Sequence, residues 1–217
     1  MGGSGPERAG IGITHEAARR RRAEGAGADR SWRVGADGEA VIGDLLTGLA
    51  RPSWWSRLWR RPPAWRALHS IPLVDARGRP RGDIDHVVIG PPGVVTINTK
   101  HHRAGRLVLD GDELVVNGRR TAYLGQARRE AERAAGLLGC ALAAAGEPGL
   151  AAALVVRPLI AVVGATVVVN RRAPGATVVP PHRLIPALTL MPARLTRREV
   201  AAVFEVARRS TSWAPPT

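Results

Sequence analysis

Two pairs of polar residues stand out among the apolar runs in the middle of the chain: Asp83 with Asp85, and Asn98 with Lys100. Side chains alternate along a strand, so the two members of each pair share a face of their strand. Residues 90–93 read Gly-Pro-Pro-Gly, and a hairpin closed by the two glycines pairs positions whose numbers add up to 183. This register predicts that Asp85 faces Asn98 and that Asp83 faces Lys100, close enough to share one ligand.

Two carboxylates, an amide and an ammonium group in one cluster are suited to phosphate chemistry. Hard cations such as Mg²⁺ take oxygen ligands and usually keep several waters. A cation held by carboxylates binds a phosphate and makes its own water a better nucleophile, while a nearby lysine orients that water or stabilises charge on phosphorus. The simpler alternative is a structural salt bridge between Asp83 and Lys100 on a half-exposed sheet face.

The composition of the whole chain also singles out Lys100. Among 32 lysine and arginine residues it is the only lysine, and Gln126 is the only glutamine. Lysine is a compact point charge that can lose its proton, whereas arginine is a planar fork that stays charged. A chain so rich in arginine keeps a lysine mainly where arginine cannot replace it, which supports a functional role for Lys100.

The net charge predicts a polyanionic partner. It is +14, with a pI of about 11.7, and such proteins usually bind nucleic acid or, less often, an anionic membrane surface. We expect nucleic acid, DNA in particular, and no stable membrane insertion, because Arg157 and Pro158 interrupt the apolar stretch 151–169 and favour core strands there. A single cysteine, Cys140, and the lack of an apolar N-terminal stretch predict a cytoplasmic protein.

The elements that position these residues follow from the apolar spacing. A helical period predicts a first helix over about 36–49, which carries Glu39, and a second over about 123–145. The polar side of the second helix holds Gln126, Arg129, Glu130 and Arg133. Strands are predicted over 66–74, 83–89, 94–100, 106–116, 155–163 and 166–169, and short helices over 182–188 and 196–209.

This order of elements predicts one α/β sandwich over residues 35–209. Residues 1–34, rich in Gly, Ala and Arg, are expected to form a disordered basic arm, and residues 210–217 a flexible tail. The segment Pro52–Trp65 holds four tryptophans among arginines. Such a segment can stack on bases or lie on a membrane surface, although its prolines favour a loop folded back on the core.

Three blocks of the sequence resemble the nuclease-related domain (NERD) family, which is similar to the PD-(D/E)XK nuclease superfamily. In the family's order they are Gly35–Glu39 (GADGE), Asp83–Gly90 (DIDHVVIG) and Gly93–Lys100 (GVVTINTK). The resemblance implies a restriction-endonuclease-like sandwich, with a central mixed β-sheet flanked by helices. It also implies a metal-dependent nuclease that hydrolyses phosphodiester bonds in DNA.

The resemblance further implies roles for single residues. Glu39 and Asp85 match the family's acidic residues, Lys100 matches the lysine of its motif, and Gln126 matches a glutamine beside the scissile phosphate. Each has a simpler interpretation: a carboxylate at position 39 also favours a helix N-terminus, and residue 126 also suits a solvated helix face. The expected ligands of Mg²⁺ or Mn²⁺ are Glu39, Asp85, Asn98 and Asp83, and the expected nucleic-acid contacts are Arg129, Arg133, His101 and His102.

One position departs from the family pattern. Asn98 stands where the family usually has Glu or Asp, two residues before the lysine. An amide oxygen can bind a metal but brings no charge, and one unit charge at about 4 Å is worth roughly 4 kcal/mol at an effective dielectric constant near 20. Two outcomes follow from this: either metal binding is weak, or Asp83 compensates for the missing charge. Two other hypotheses stay open: a catalytically inactive nucleic-acid-binding module with the same fold, and a membrane or protein-interaction module that uses the tryptophans.

Overall fold

The architecture is that of a computed structural model, which describes residues 26–51, 64–75 and 77–215, with side chains from residue 36 onward. The chain divides into two compact units, Met1–Asp37 and Gly38–Thr217. Of the first unit, only the helical backbone of residues 26–37 is described, and the fold below is that of the second. Most of the predicted basic arm, and the tryptophan-rich segment up to residue 63, lie outside the described residues.

The predicted helices and strands occur in the predicted order, together with three short elements that were not predicted. The helices are α1 (Ala26–Ala50), α2 (Tyr123–Ala144), α3 (Pro148–Ala153), α4 (Pro181–Thr189) and α5 (Arg197–Ala207), followed by a 3-10 turn (Ser210–Trp213). The strands are β1 (Arg66–Val74), β2 (Pro80–Gly90), β3 (Gly93–Asp110), β4 (Glu113–Val116), β5 (Arg119–Thr121), β6 (Val156–Arg171) and β7 (Thr177–Val179).

The seven strands form one mixed sheet. Strands β1 to β5 follow each other as antiparallel neighbours, while β6 pairs in parallel with both β3 and β7. The two longest strands, β3 and β6, therefore lie side by side at its centre, with β2 and β4 on the far side of β3. This confirms the predicted central mixed sheet.

Helices cover both faces of this sheet. On one face, Ile42 and Leu46 of α1 share a core with Val88, Val95 and Ile97 of the central strands. On the other face, the apolar stripe of α2 packs with the alternate strand positions and with α5; its members include Ala134, Leu138, Val87, Ile89, Val94 and Val203. Successive strand residues thus serve opposite cores, as their alternation requires, and the arrangement is consistent with a restriction-endonuclease-like fold.

Several boundaries differ from those predicted. Helix α1 begins at Ala26, ten positions before the predicted start at Ala36. Strands β3 and β6 run on through residues that the sequence pattern divides into separate strands, because each supplies the other with a partner along most of its length. Two short strands, β5 and β7, and the six-residue helix α3 were not predicted.

The C-terminal end also differs from the expected flexible tail. Trp213 is only 2% exposed, and its indole N–H donates to the carbonyl oxygen of Ala207 at 2.7 Å. A buried tryptophan contributes a large apolar area and needs a partner for its N–H group, and both conditions are met here. Trp213 is therefore part of the core that α2 and α5 share, and Ser212 next to it is also buried.

Within the part of the chain that the structure describes, no helix combines the length and the apolarity needed to cross a bilayer. The apolar stretch that contains Arg157 instead forms the end of α3 and most of β6. The strand agrees with the prediction, whereas the helix was not predicted.

Candidate active site

The predicted register of the β2–β3 hairpin is confirmed. Gly90 pairs with Gly93 and His86 with Ile97, so paired positions add up to 183. Gly93 takes a φ of +111° in the Pro-Pro turn, a conformation that glycine adopts without steric cost. The pairing ends at His86, however, one position before Asp85 would face Asn98.

The hairpin opens there because each strand follows a different neighbour. Strand β2 stays paired with β1, where Pro72 lies opposite Asp83, and β3 stays paired with β6, where Lys100 lies opposite Val162. Strand β4 pairs with the same edge of β3 as β2 does, but this pairing begins only at Leu107. Residues 98–106 of β3 thus have no strand neighbour on that side among the described strands. We call this opening the sheet gap.

The side chain of Asp85 connects β2 to β3 at the point where the sheet gap begins. The backbone N–H of Thr99 donates to Oδ2 of Asp85 at 2.6 Å, so the carboxylate accepts the hydrogen bond that a backbone carbonyl would accept in a continuous ladder. Burial, foremost, raises the pKa of Asp85, while the Thr99 hydrogen bond and the charge of Lys100 act in the opposite direction. The fold therefore holds a half-buried carboxylate beside the β3 residues of interest.

Asn98 contacts a carboxylate that the sequence analysis did not assign to the site. Its Nδ2 donates to Oε2 of Glu130 on α2 at 3.2 Å. Oδ1 of Asn98 and Oε1 of Glu130 are buried, and no donor among the described residues reaches either atom. The available signal was the four-residue spacing from Gln126 to Glu130, which places both on one helix face.

Lys100 lies over an aromatic ring. Its ammonium nitrogen is 5.0 Å from the centre of the Tyr123 ring, within the range of a cation–π contact. The ring of His102 lies 5.8 Å from the same tyrosine. No ion pair joins Lys100 to Asp83 in the described part of the chain, and Asp83 is exposed, so the structural salt bridge that was the simpler alternative is not formed.

Glu39 reaches the site from the opposite face of the sheet. Helix α1 lies close to β3 at Gly38. A Cβ added there would be 3.1 Å from Cβ of His101 and 3.4 Å from Cγ2 of Thr99. Burial, then the charges of Asp85 and Asp83, raise the pKa of Glu39 to about 7. Glu39 and Asp85 are thus close enough to sense each other's charge.

The pKa of Glu130, on α2, is raised in the same way as that of Glu39. Burial raises its pKa to about 7, the charges of Asp85 and Asp83 add to this, and the hydrogen bond from Asn98 and the charge of Lys100 act against it. The charge of Asp85 therefore raises the pKa of one carboxylate on each of two helices, Glu39 on α1 and Glu130 on α2.

The remaining predicted residues lie around this centre. Gln126 is exposed in the first part of α2, one turn before Glu130. His101 faces the α1 side, where its ring lies against Gly164. On α2, Arg129 is exposed, whereas Arg133 donates to the backbone carbonyl of Val74 at 2.9 Å and so ties the helix to the end of β1.

Comparison with protein families gives one match. The family model of the nuclease-related domain (NERD) matches residues 35–163, more than half of the chain. The chain belongs to the NERD family. Neither the curated proteins nor the solved structures yield a further significant match. The matched NERD region holds every residue of the site described above, from Glu39 to Glu130.

The donor set of this NERD site suits a hard cation with few protein ligands. In the described ranges, no three His, Cys, Asp or Glu side chains lie close enough together to hold a metal ion. Mg²⁺, however, is commonly bound by one or two carboxylates together with waters. Asp85 and the buried oxygens of Asn98 and Glu130 without a donor are ligands of that kind, and a cation would relieve the repulsion around Asp85.

The two raised pKa values predict how the metal-free NERD protein responds to pH. A carboxyl group with a raised pKa holds its proton longer in the folded state, so its contribution to stability is lost as pH rises from about 4.5 to about 7. We expect Glu130→Gln to be more stable than the wild type at pH 7, by on the order of 1 to 3 kcal/mol, with the difference vanishing near pH 4.

This difference is measured by denaturant unfolding with EDTA at several pH values. The matched control is Glu132→Gln, an exposed position on the same helix. Only differences from the wild type are informative, because burial lowers the pKa of His69 and His86 and gives the opposite slope in the same range. A difference that does not change with pH would contradict the prediction.

Proposed function

We propose that the protein is a metal-dependent nuclease that hydrolyses phosphodiester bonds in DNA, with Mg²⁺ or Mn²⁺ as its cofactor. The observation that carries the proposal is the sheet gap: it leaves the β2-facing edge of the Asn98–Lys100 segment without a strand partner, next to Asp85 and near carboxylates of two helices. Membership of the nuclease-related family supports it, and so does the net charge of +14, which suits a polyanionic substrate.

Of the predicted ligands, Asp85 and the amide oxygen of Asn98 would hold the cation directly. Glu39 and Asp83 would contribute negative charge to the site, because no three acidic side chains of the described residues lie close enough to hold one ion. When bound there, the cation would supply charge neutralisation at the phosphate and a more acidic water. In the metal-free protein the negative charges of these carboxylates repel each other, and a bound cation would remove that repulsion.

The chain's own residues supply the remaining steps. Lys100, held over Tyr123, is the cation that orients the attacking water or stabilises the charge that develops on phosphorus. Gln126, exposed one turn before Glu130, would donate its amide hydrogens to a phosphate oxygen. The exposed guanidinium of Arg129 is suited to contact the DNA backbone, and His102 lines the same side as Tyr123.

One observation favours a second candidate, a nucleic-acid-binding module without catalysis. No three acidic or histidine side chains of the described residues close on a common point, and position 98 is an amide. Such a module would still bind DNA through arginines, with an affinity that falls steeply with salt as counterions are released.

A cleavage assay separates the two candidates. Supercoiled DNA, linear duplex, single-stranded DNA and RNA are each incubated with the protein over a range of Mg²⁺ and Mn²⁺ concentrations. We expect strand cleavage of DNA that rises with the metal and disappears with EDTA. Salt-sensitive binding with no cleavage of any substrate, at any concentration of either ion, would favour the inactive module.

A further inference from the structure

We propose that Glu130 supplies the carboxylate that position 98 lacks, so that the cation is bound by Asp85 and Glu130 with Asn98 between them. This inference rests on the proposed function and changes its set of metal ligands to two carboxylates, Asp85 and Glu130, since no three acidic side chains of the described residues lie close enough to hold one ion. It replaces Asp83 as the compensating residue, because Asp83 lies exposed beside β1, whereas Glu130 contacts Asn98 directly.

The first argument is the contact itself. Asn98 and Glu130 are 32 positions apart in the chain, yet Nδ2 of the amide lies 3.2 Å from Oε2 of the carboxylate. This hydrogen bond fixes the amide so that its oxygen, rather than its NH₂ group, is left for another partner. The helix thus places a negative charge next to the strand position that carries none.

The second argument is that Glu130 is half-buried and forms no ion pair among the described residues. Its Oε1 atom has no hydrogen-bond donor among the described residues, and neither does Oδ1 of Asn98. An isolated carboxylate is costly to bury. Two neighbouring buried oxygens that lack donors are what a bound cation, with its waters, would satisfy.

The third argument excludes the usual structural partner. Arg133 lies three positions after Glu130, a spacing at which opposite charges pair on a helix. Its guanidinium instead donates to the carbonyl of Val74, and Lys100 lies over Tyr123. In the part of the chain that the structure describes, no arginine or lysine forms an ion pair with Glu130.

The test measures metal binding directly. Isothermal titration of the full chain with Mn²⁺ compares the wild type with Glu130→Gln, which keeps the acceptor for Asn98 but removes the charge. We expect the affinity to fall on the order of 100-fold. Glu132→Gln, on the exposed side of α2, is the matched control and should bind Mn²⁺ like the wild type.

The double variant Asn98→Asp/Glu130→Gln makes the test specific. It moves the carboxylate from the helix back to the strand, so Mn²⁺ binding should return to within about tenfold of the wild type. A merely structural Glu130 would not be rescued in this way. Circular-dichroism melts verify that each variant folds, and Glu130→Asp, which keeps the charge on a shorter side chain, should bind Mn²⁺ more tightly than Glu130→Gln.

The outcomes separate this inference from the proposed function. If the wild type binds Mn²⁺ and cleaves DNA while Glu130→Gln does both equally well, the assignment of Glu130 fails and the nuclease proposal stands. If the wild type neither binds Mn²⁺ nor cleaves DNA, both fail. Loss of binding in Glu130→Gln without rescue by the double variant would overturn the relocation of the carboxylate.

Discussion

Asp85→Asn should reduce metal-dependent DNA cleavage by about 100-fold to 10,000-fold. The substitution removes one unit of negative charge from the centre of the site and keeps the shape of the side chain. A loss of that size corresponds to about 3 to 5 kcal/mol of transition-state stabilisation, within what a cation contributes to phosphate chemistry. The measurement is the single-turnover cleavage rate at saturating Mn²⁺.

The fold should survive this change. An amide oxygen can still accept the hydrogen bond that Thr99 donates, and burial no longer opposes a charge there, so the melting temperature should stay the same or rise. Asp112→Asn is the control, since Asp112 is exposed in the β3–β4 turn and pairs with Arg128. Cleavage by Asp85→Asn at the rate of the wild type would exclude Asp85 from the active site.

Lys100→Arg should reduce cleavage by about 100-fold to 10,000-fold while DNA binding changes little. The net charge is unchanged, so the electrostatic attraction to DNA is preserved. The guanidinium is larger, planar and far less able to exchange a proton, and positioned proton transfer contributes rate factors of that order. Cleavage rates and binding by fluorescence anisotropy, at two salt concentrations, give the two halves of the prediction.

The reverse exchange provides the control. Arg103→Lys lies three positions further along the chain, at an exposed site, and should leave cleavage within about twofold of the wild type. Parallel losses of binding and cleavage in Lys100→Arg would show that the lysine acts only as a phosphate contact. Cleavage at the wild-type rate would show that its chemistry is not needed.

The sequence was informative wherever neighbours in the chain are also neighbours in space. The bounds of β1 agree with the prediction, and the hairpin register follows from the two glycines of its turn. Both depend on short-range rules, namely alternation along a strand and the geometry of a two-residue turn. The same rules placed Asn98 and Lys100 on one face of β3.

Glu130 shows where such reasoning ends. Helical spacing places Glu130 on the polar side of α2, but it does not tell which strand that side meets. The contact with Asn98 depends on how α2 packs against the sheet. The point where the hairpin pairing ends, at His86, likewise depends on strands β1 and β6, which pair with the outer edges of β2 and β3. Both features arise from packing between distant segments, which no local pattern encodes.

The bond between Thr99 and Asp85 has a consequence for how related sequences are interpreted. A backbone N–H in a sheet needs an acceptor, and leaving it without one costs about 1 to 3 kcal/mol. At position 85 only Asp or Asn offers a side chain of the right length, so the fold alone selects for these two residues. An aspartate there is therefore weak evidence of catalysis in a chain with this sheet gap. The diagnostic positions are those without a structural duty of this kind, Lys100 above all.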